Sequence, residues 1–233
     1  MENSDLSSDV LLENELVEEV PKIDAKYLAN QVSWIISLEK GLLFTLRQMT
    51  FRPGTATRNF IKENRRPYMK PVVFLILCSL IYTIISKYLQ FEEEAYKNLA
   101  YTNKNSLKAT QWIREYYGYF NIVSSVISAL WIRMFFRKKG YNIFEIIVLM
   151  CYLSGIGMLI SLFFGTIQST TGLPVFMYSS LLILAYSVWG IGQFFELSNV
   201  GSYLKVVLAR LLGLLTIIFL GAIGMVVFMI VTK

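Results

Sequence analysis

The chain has 233 residues, of which 55% are hydrophobic, and its 22 Lys and Arg residues outnumber its 16 Asp and Glu residues. The apolar residues are gathered in long blocks, which excludes an ordinary soluble domain and predicts an integral membrane protein. There is no histidine, and the two cysteines, Cys78 and Cys151, lie in separate apolar blocks, so we expect neither a metal site nor a disulfide framework.

The charge is unevenly distributed along the N-terminal part of the chain. Residues 1–24 contain eight acidic residues and only one basic residue, Lys22. We interpret residues 1–26 as an acidic, disordered tail without the basic region and apolar core of a cleavable signal peptide. Residues 40–70 reverse the balance, with eight basic residues against Glu63. Because these bases lie beside an apolar block, we expect anionic lipid headgroups as their partner, not nucleic acid.

Residues 27–70 are predicted to form amphipathic and basic helices on the cytoplasmic membrane surface. Apolar residues recur every three or four positions and predict one helical face that rests on the membrane: Ile35, Leu38, Leu42, Leu46 and Met49. The sequence Arg52-Pro53-Gly54 then predicts a turn. We expect Thr55 to cap a short second helix that ends at Pro67, and Pro71 to lie in the first turn of a membrane span.

The basic stretch is the candidate binding site for lipid phosphate or for a membrane partner. The residues assigned to it are Arg52, Arg58, Lys62, Arg65, Arg66 and Tyr68. Spacings of three and four place most of these bases on one helix face, and each base near a membrane surface contributes about 1 kcal/mol. Pro53, Gly54, Pro67 and Pro71 are given structural roles. The alternative is that the bases only orient the first span.

The run LRQMTFRPGTATRNFIKENRRPYMKPVVFLI resembles a bacterial membrane family, the domain-of-unknown-function family 3667. The matching positions are Arg52, Pro53, Gly54, Phe60, Ile61, Arg66, Tyr68 and Pro71. That family has no assigned activity, so the resemblance implies an architecture and no reaction. Many members carry a paired-cysteine zinc ribbon before this motif, and the acidic N-terminus here departs from that pattern. A weaker likeness, to the Yip1-type membrane proteins, implies five spans with the N-terminus inside and the C-terminus outside.

Five apolar blocks reach the length of about 20 residues that crosses a bilayer. They are residues 71–89, 118–136, 142–165, 173–195 and 206–231. The predicted fold is therefore an all-α, polytopic five-helix bundle over residues 71–233. Ten of the 22 bases precede the first span, whereas the predicted loop 166–172 carries no charge. The positive-inside rule then predicts a cytoplasmic N-terminus and an outside C-terminus, and the resemblance to a bacterial family implies the bacterial inner membrane.

An ionisable residue within a span is a candidate functional site. Glu145 lies at the start of the third predicted span, where we expect an ion pair with the basic cluster 133–139, which begins with Arg133, and a proton or cation relay is the alternative. Arg210 lies near the start of the last span, within snorkelling reach of the interface. Small residues at four-residue spacing predict close helix packing inside the bundle: Gly157, Ser161, Gly165, Ala209 and Gly213.

No feature of the sequence points to catalysis, because it has no histidine, no paired carboxylates within a span and no glycine-rich phosphate loop. We therefore expect a non-enzymatic module without a cofactor. Its expected function is to bind anionic lipid or a membrane partner, including a second copy of itself, through the basic stretch. A small-solute permease or channel is the alternative, and it requires a polar cavity that reaches the middle of the membrane.

Overall fold

The computed structural model describes the backbone of residues 41–91 and 117–231, and the side chains of residues 41–91 and 123–221. Within these ranges the regular structure is helical, without strands. The predicted acidic tail and the part of the first surface helix before residue 41 lie outside the described residues. The helices are α1 (41–51), α2 (Pro53–Lys62), α3 (Pro71–Leu89), α4 (Tyr117–Phe135), α5 (Ile143–Thr171), α6 (Phe176–Phe194) and α7 (Val200–Val231).

The Arg-Pro-Gly sequence is a kink between two helices, with Arg52 as its one intervening residue. The Arg52 amide still donates to the Gln48 carbonyl at 2.8 Å, so the chain leaves α1 without a loop. Proline is favoured at a first helical position, where its missing N–H breaks no bond, and α2 accordingly begins at Pro53. The predicted cap at Thr55 is therefore wrong by three residues, since Arg52 occupies the cap position.

The end of α2 also differs from the prediction. The amides of Glu63 and Asn64 both donate to the Asn59 carbonyl, at 2.9 and 3.0 Å, which closes the helix at its last residue, Lys62. Arg65 and Arg66 therefore follow the helix in an irregular segment and do not continue its basic face.

The apolar face of α1 that we predicted to rest on the membrane packs against protein in its described part. Met49 is fully buried, and its carbonyl accepts a hydrogen bond from the Tyr186 hydroxyl at 2.6 Å. Thr45 is buried too, and its hydroxyl accepts from the Met69 amide at 2.8 Å. The opposite face remains exposed, with 68% of Leu43 accessible.

The long helices fall close to the predicted spans. The bounds of α3 coincide with the prediction, and those of α4 and α6 differ from it by one to three residues. By length and composition, three helical segments of the described chain can cross a membrane: Pro71–Leu89, Ile143–Thr171 and Val200–Gly221. The side-chain-described part of α4, Val123–Phe135, is a shorter apolar helix. Helix α6, which contains serines, tyrosines and a glutamine, is not among these three segments. The described part of the chain thus supports a membrane protein with three candidate spans, and the count of five stays a prediction.

The predicted loop 166–172 is instead the last part of α5. The threonine hydroxyls of this polar stretch donate to carbonyls one turn earlier, as Thr166 does to Leu162 at 2.8 Å. The helix continues to Thr171 and is capped by Gly172, which adopts a φ of 71° and donates its amide to the Gln168 carbonyl at 2.8 Å. Side chains that bond to their own helix allow a polar sequence to remain helical, and glycine readily takes the left-handed C-cap.

Helix α5 is the centre of the bundle and packs on α2, α3, α4 and α6. Helix α5 lies parallel to α3. Gly155 of α5 faces Phe74 near the start of α3, and Gly165, further along α5, faces Phe91, just after the end of α3. The main buried core contains residues of four helices: Ala129, Ile132, Ile146, Leu149, Met150, Ile191, Phe194, Val206 and Ala209.

The predicted small-residue packing is confirmed inside the bundle. A Cβ atom on Gly157 would lie 3.2 Å from Ile183 of α6, and one on Gly213 would lie 3.0 Å from the Ser128 hydroxyl of α4. Ser161, on the same stripe as Gly157, is buried. These positions therefore bring helices of one chain close together.

Candidate functional site

The N-terminus of α2 lies against the end of α6. Pro53 and Gly54 are buried, and the Gly54 amide donates to the Gln193 side-chain oxygen at 3.3 Å. A Cβ atom on Gly54 would overlap the Phe194 nitrogen and the Gly190 carbonyl oxygen of the α6 backbone. Glycine is thus required here for close approach of two backbones, rather than for the turn predicted from the sequence.

One turn further along α2, Arg58 forms an ion pair with Glu196, which follows the end of α6. The arginine side chain is 20% exposed, whereas the glutamate side chain is 73% exposed. Arg58 is therefore held on the protein, while its carboxylate partner reaches it from the solvent side.

Two more contacts bring the connection between α4 and α5 to the same place. The Lys62 ammonium lies over the Tyr141 ring at 5.0 Å from its centre. Lys139 donates to the Phe195 carbonyl at 2.8 Å, beside Glu196. The three-residue run 137–139 is basic throughout and exposed. Basic residues of α2 and of the α4–α5 connection therefore lie at the same end of the bundle.

We call this region the basic surface, and it consists of Arg58, Lys62, Arg65, Arg66, Arg137, Lys138 and Lys139. Arg65 and Arg66 join it from the segment after α2, where both are exposed. The Arg65 guanidinium lies 5.8 Å from the centre of the Phe60 ring. Arg52 is exposed at the α1–α2 kink, at the other end of α2 from Lys62, and we leave it outside the basic surface.

Tyr68 belongs to a series of aromatic rings in contact, beside the bases of α2. Its ring lies 5.1 Å from Phe44 of α1 and 6.0 Å from Phe60 of α2, and Phe60 lies 5.7 Å from Tyr152 of α5. Burial, with a smaller contribution from the charge of Glu63, raises the pKa of Tyr68 above its ordinary value of 10.0. Tyr68 therefore packs the pre-span segment onto the bundle as a neutral phenol.

The next residue ties the same segment to α5. The Tyr152 hydroxyl donates to the Met69 carbonyl at 2.6 Å, and both residues are buried. Pro67 is half-buried just before this contact, and Pro71 is the first residue of α3, as predicted. The turn from surface segment to long helix is thus fixed by a buried hydrogen bond as well as by its prolines.

Glu145 does not pair with Arg133. Its carboxylate accepts from the Asn142 amide at 2.7 Å and completes a capping box at the start of α5. Arg133 donates to the Arg137 carbonyl at 3.2 Å. Among the described residues, the ion pair is the one between Arg58 and Glu196. The predicted pair between Glu145 and the 133–139 cluster, Arg133 included, is therefore wrong, because the start of α5 offers the carboxylate a nearer partner in the Asn142 amide.

Arg210 lies further inside its helix than we predicted, because α7 begins at Val200. Its guanidinium donates to the Ser128 hydroxyl at 3.2 Å, and its Nε is buried without a hydrogen-bond partner in the described part of the chain. In the same described part, His, Cys, Asp and Glu side chains form no group of three suited to a metal ion.

Residues 39–83 match the family described as "Protein of unknown function (DUF3667)". The match includes the kink, α2 and most of α3, and it confirms the resemblance seen in the basic stretch. Neither the curated proteins nor the solved structures gave a match to the chain. Over this segment the chain is therefore similar to an uncharacterised family, and the comparisons add nothing to the Yip1-type likeness.

Proposed function

We propose that the chain is a multi-pass membrane protein whose basic surface binds the phosphate headgroups of anionic phospholipids. The observation that carries the proposal is the convergence of α2, the segment after it and residues 137–139 at one end of the bundle. A cluster of four to eight bases beside a membrane helix suits anionic lipid, with about 1 kcal/mol from each base near the surface. The proposal assigns no reaction and no cofactor to the chain.

The proposed topology has five crossings, with the N-terminus and the basic surface on the cytoplasmic side of a bacterial inner membrane and the C-terminus outside. The parallel arrangement of α3 and α5 supports it, because α4 then runs back between them. Concentration of the bases at one end of the bundle also supports it, since basic loops stay cytoplasmic.

A small-solute permease or channel is the alternative, and Arg210 is the observation that favours it. A cation within a membrane helix is a default functional candidate. Its single described hydrogen-bond acceptor, the Ser128 hydroxyl, leaves donors for a passing anion. A membrane partner protein or a second copy of the chain is a further candidate occupant of the basic surface.

Native mass spectrometry of the full chain in detergent, titrated with phosphatidylglycerol or with zwitterionic phosphatidylcholine, tests the lipid proposal. One variant changes Arg58, Lys62, Arg65 and Arg66 to Gln, and a second changes residues 137–139 to Gln. We expect the wild type to retain phosphatidylglycerol preferentially and each variant to lose that preference.

The matched control is Lys87→Gln, which removes a base in the last turn of α3, away from the basic surface. It should retain phosphatidylglycerol as the wild type does. Equal retention by the wild type and both multiple variants would show that these bases do not bind lipid and would contradict the proposal.

A further inference from the structure

The Arg58–Glu196 ion pair lies within the basic surface, and its two sides differ in exposure. Arg58 is mostly covered, and the short α2 that carries it is fixed to α6 through Gly54 and Gln193. Glu196 is mostly exposed. The guanidinium therefore stays in place if the carboxylate leaves, and the carboxylate enters water without burying its charge.

We infer that Arg58 is the primary phosphate site of the basic surface and that the Glu196 carboxylate occupies it as an internal competitor. This inference rests on the proposed lipid-binding function and specifies its site and its control. An arginine side chain suits both anions, because its planar donors can bind two oxygens of a carboxylate or of a phosphate.

The cations around the pair favour a phosphate over the carboxylate. Lys62 is one turn beyond Arg58 on α2, and Lys139 is held at the Phe195 carbonyl, next to Glu196. A phosphodiester bound at Arg58 would therefore have cations on two neighbouring segments, while its acyl chains remain in the bilayer. Glu196, in the turn directly after α6, forms its ion pair with the Arg58 guanidinium.

Exchange of the carboxylate for a phosphate requires movement of one side chain only. The turn that carries Glu196 is closed by its backbone, where the Leu197 amide donates to the Gly192 carbonyl at 3.0 Å. Glu196 itself adopts a φ of 50°, within that turn. Changing Glu196 to Gln therefore removes the charge and leaves the hydrogen bonds that hold the turn.

The test compares phosphatidylglycerol affinity by native mass spectrometry among the wild-type full chain, Glu196→Gln, Arg58→Gln and the double variant. An exposed ion pair of modest strength corresponds to a gain of about threefold to fivefold in affinity for Glu196→Gln. Arg58→Gln should lower the affinity, and Glu196→Gln should add nothing in its presence.

The matched control is Glu63→Gln, which removes the same charge at the exposed end of α2. An equal gain in both single variants would reduce the effect to net charge and overturn the inference. The inference would also be overturned if the wild type preferred phosphatidylglycerol and Glu196→Gln bound that lipid with unchanged affinity. If the wild type shows no preference for phosphatidylglycerol, the proposed function itself fails.

Soluble sn-glycerol 1-phosphate, added at equal concentration, distinguishes a lipid from a free phosphate. Weak or absent displacement of phosphatidylglycerol is expected, because the soluble ligand lacks the membrane-anchored chains. Full displacement would overturn the assignment of a lipid to the Arg58 site.

Discussion

Replacing Gly54 by alanine tests whether the Arg-Pro-Gly segment is packed against the bundle rather than lying free on a membrane surface. The added Cβ meets the Phe194 nitrogen and the Gly190 oxygen, which are backbone atoms of α6 and have no rotamer to change. Overpacking of this kind costs about 1–3 kcal/mol. Displacement of α2 would also weaken the Gly54–Gln193 hydrogen bond, which contributes about 1 kcal/mol. We therefore expect a loss of about 2–4 kcal/mol in the free energy of unfolding.

The assay is thermal unfolding of the detergent-solubilised chain, followed by tryptophan fluorescence. For a chain of this size, the expected loss corresponds to a fall of roughly 4–16 °C in the unfolding temperature. Gly201→Ala is the matched control, because Gly201 lies in the first turn of α7 with open space where its Cβ would be. Alanine is the better helix former, by about 1 kcal/mol, so this control should be as stable as the wild type or more stable.

If Gly54→Ala unfolds at the same temperature as Gly201→Ala, α2 is not packed on α6 as described. The reasoning about the kink, and about the placement of Arg58, would then be refuted. Hydrogen exchange of the α2 amides offers a local check, since a lifted α2 should lose protection before the rest of the bundle does.

Three further variants have defined outcomes in the same unfolding assay. Tyr152→Phe leaves the buried Met69 carbonyl without its hydroxyl donor and should lower the free energy of unfolding by about 1–3 kcal/mol. Because the pKa of Tyr68 is raised in the folded protein, its phenol ionises at a lower pH in the unfolded chain. The free energy of unfolding of the wild type should therefore fall as the pH rises above 10, and Tyr68→Phe should lose less of it over that interval. Arg210→Met should unfold at a higher temperature, because it removes a cation whose single described acceptor is Ser128; destabilisation would instead indicate a bound anion.

The sequence predicts the long helices well because their signals are local. A proline at the first position and an unbroken apolar block define α3, and its bounds agree with the prediction. The end of α5 escapes prediction because threonines, serines and a glutamine are typical of loops. Here the threonine hydroxyls bond to carbonyls of their own helix, and Ser169 and Gln168 donate to the Leu89 and Phe91 carbonyls at the end of α3 and just after it. Pro53 alone does not distinguish a break in the chain from the start of a helix, because a proline is equally suited to a first helical turn.

The candidate site was predicted only in part. The bases of α2 and the following segment could be named from their spacing, but the partners that position them are distant in the chain, as with Arg58 and Glu196, 138 residues apart. Tyr141 and Lys139 carry no motif that links them to α2. Such contacts depend on how α2 packs between α5 and α6, and a single sequence gives no signal for that packing.

Photo-crosslinking with phosphatidylglycerol that carries a photoreactive group in its headgroup tests the central claim most directly. The wild-type chain would be reconstituted in nanodiscs that contain this lipid, irradiated and mapped by peptide mass spectrometry. The account predicts crosslinks concentrated on residues 58–66 and 137–139, increased by Glu196→Gln and lost when the bases of α2 are changed to Gln. Crosslinks spread evenly around the ends of the helices, or unchanged by these substitutions, would contradict it.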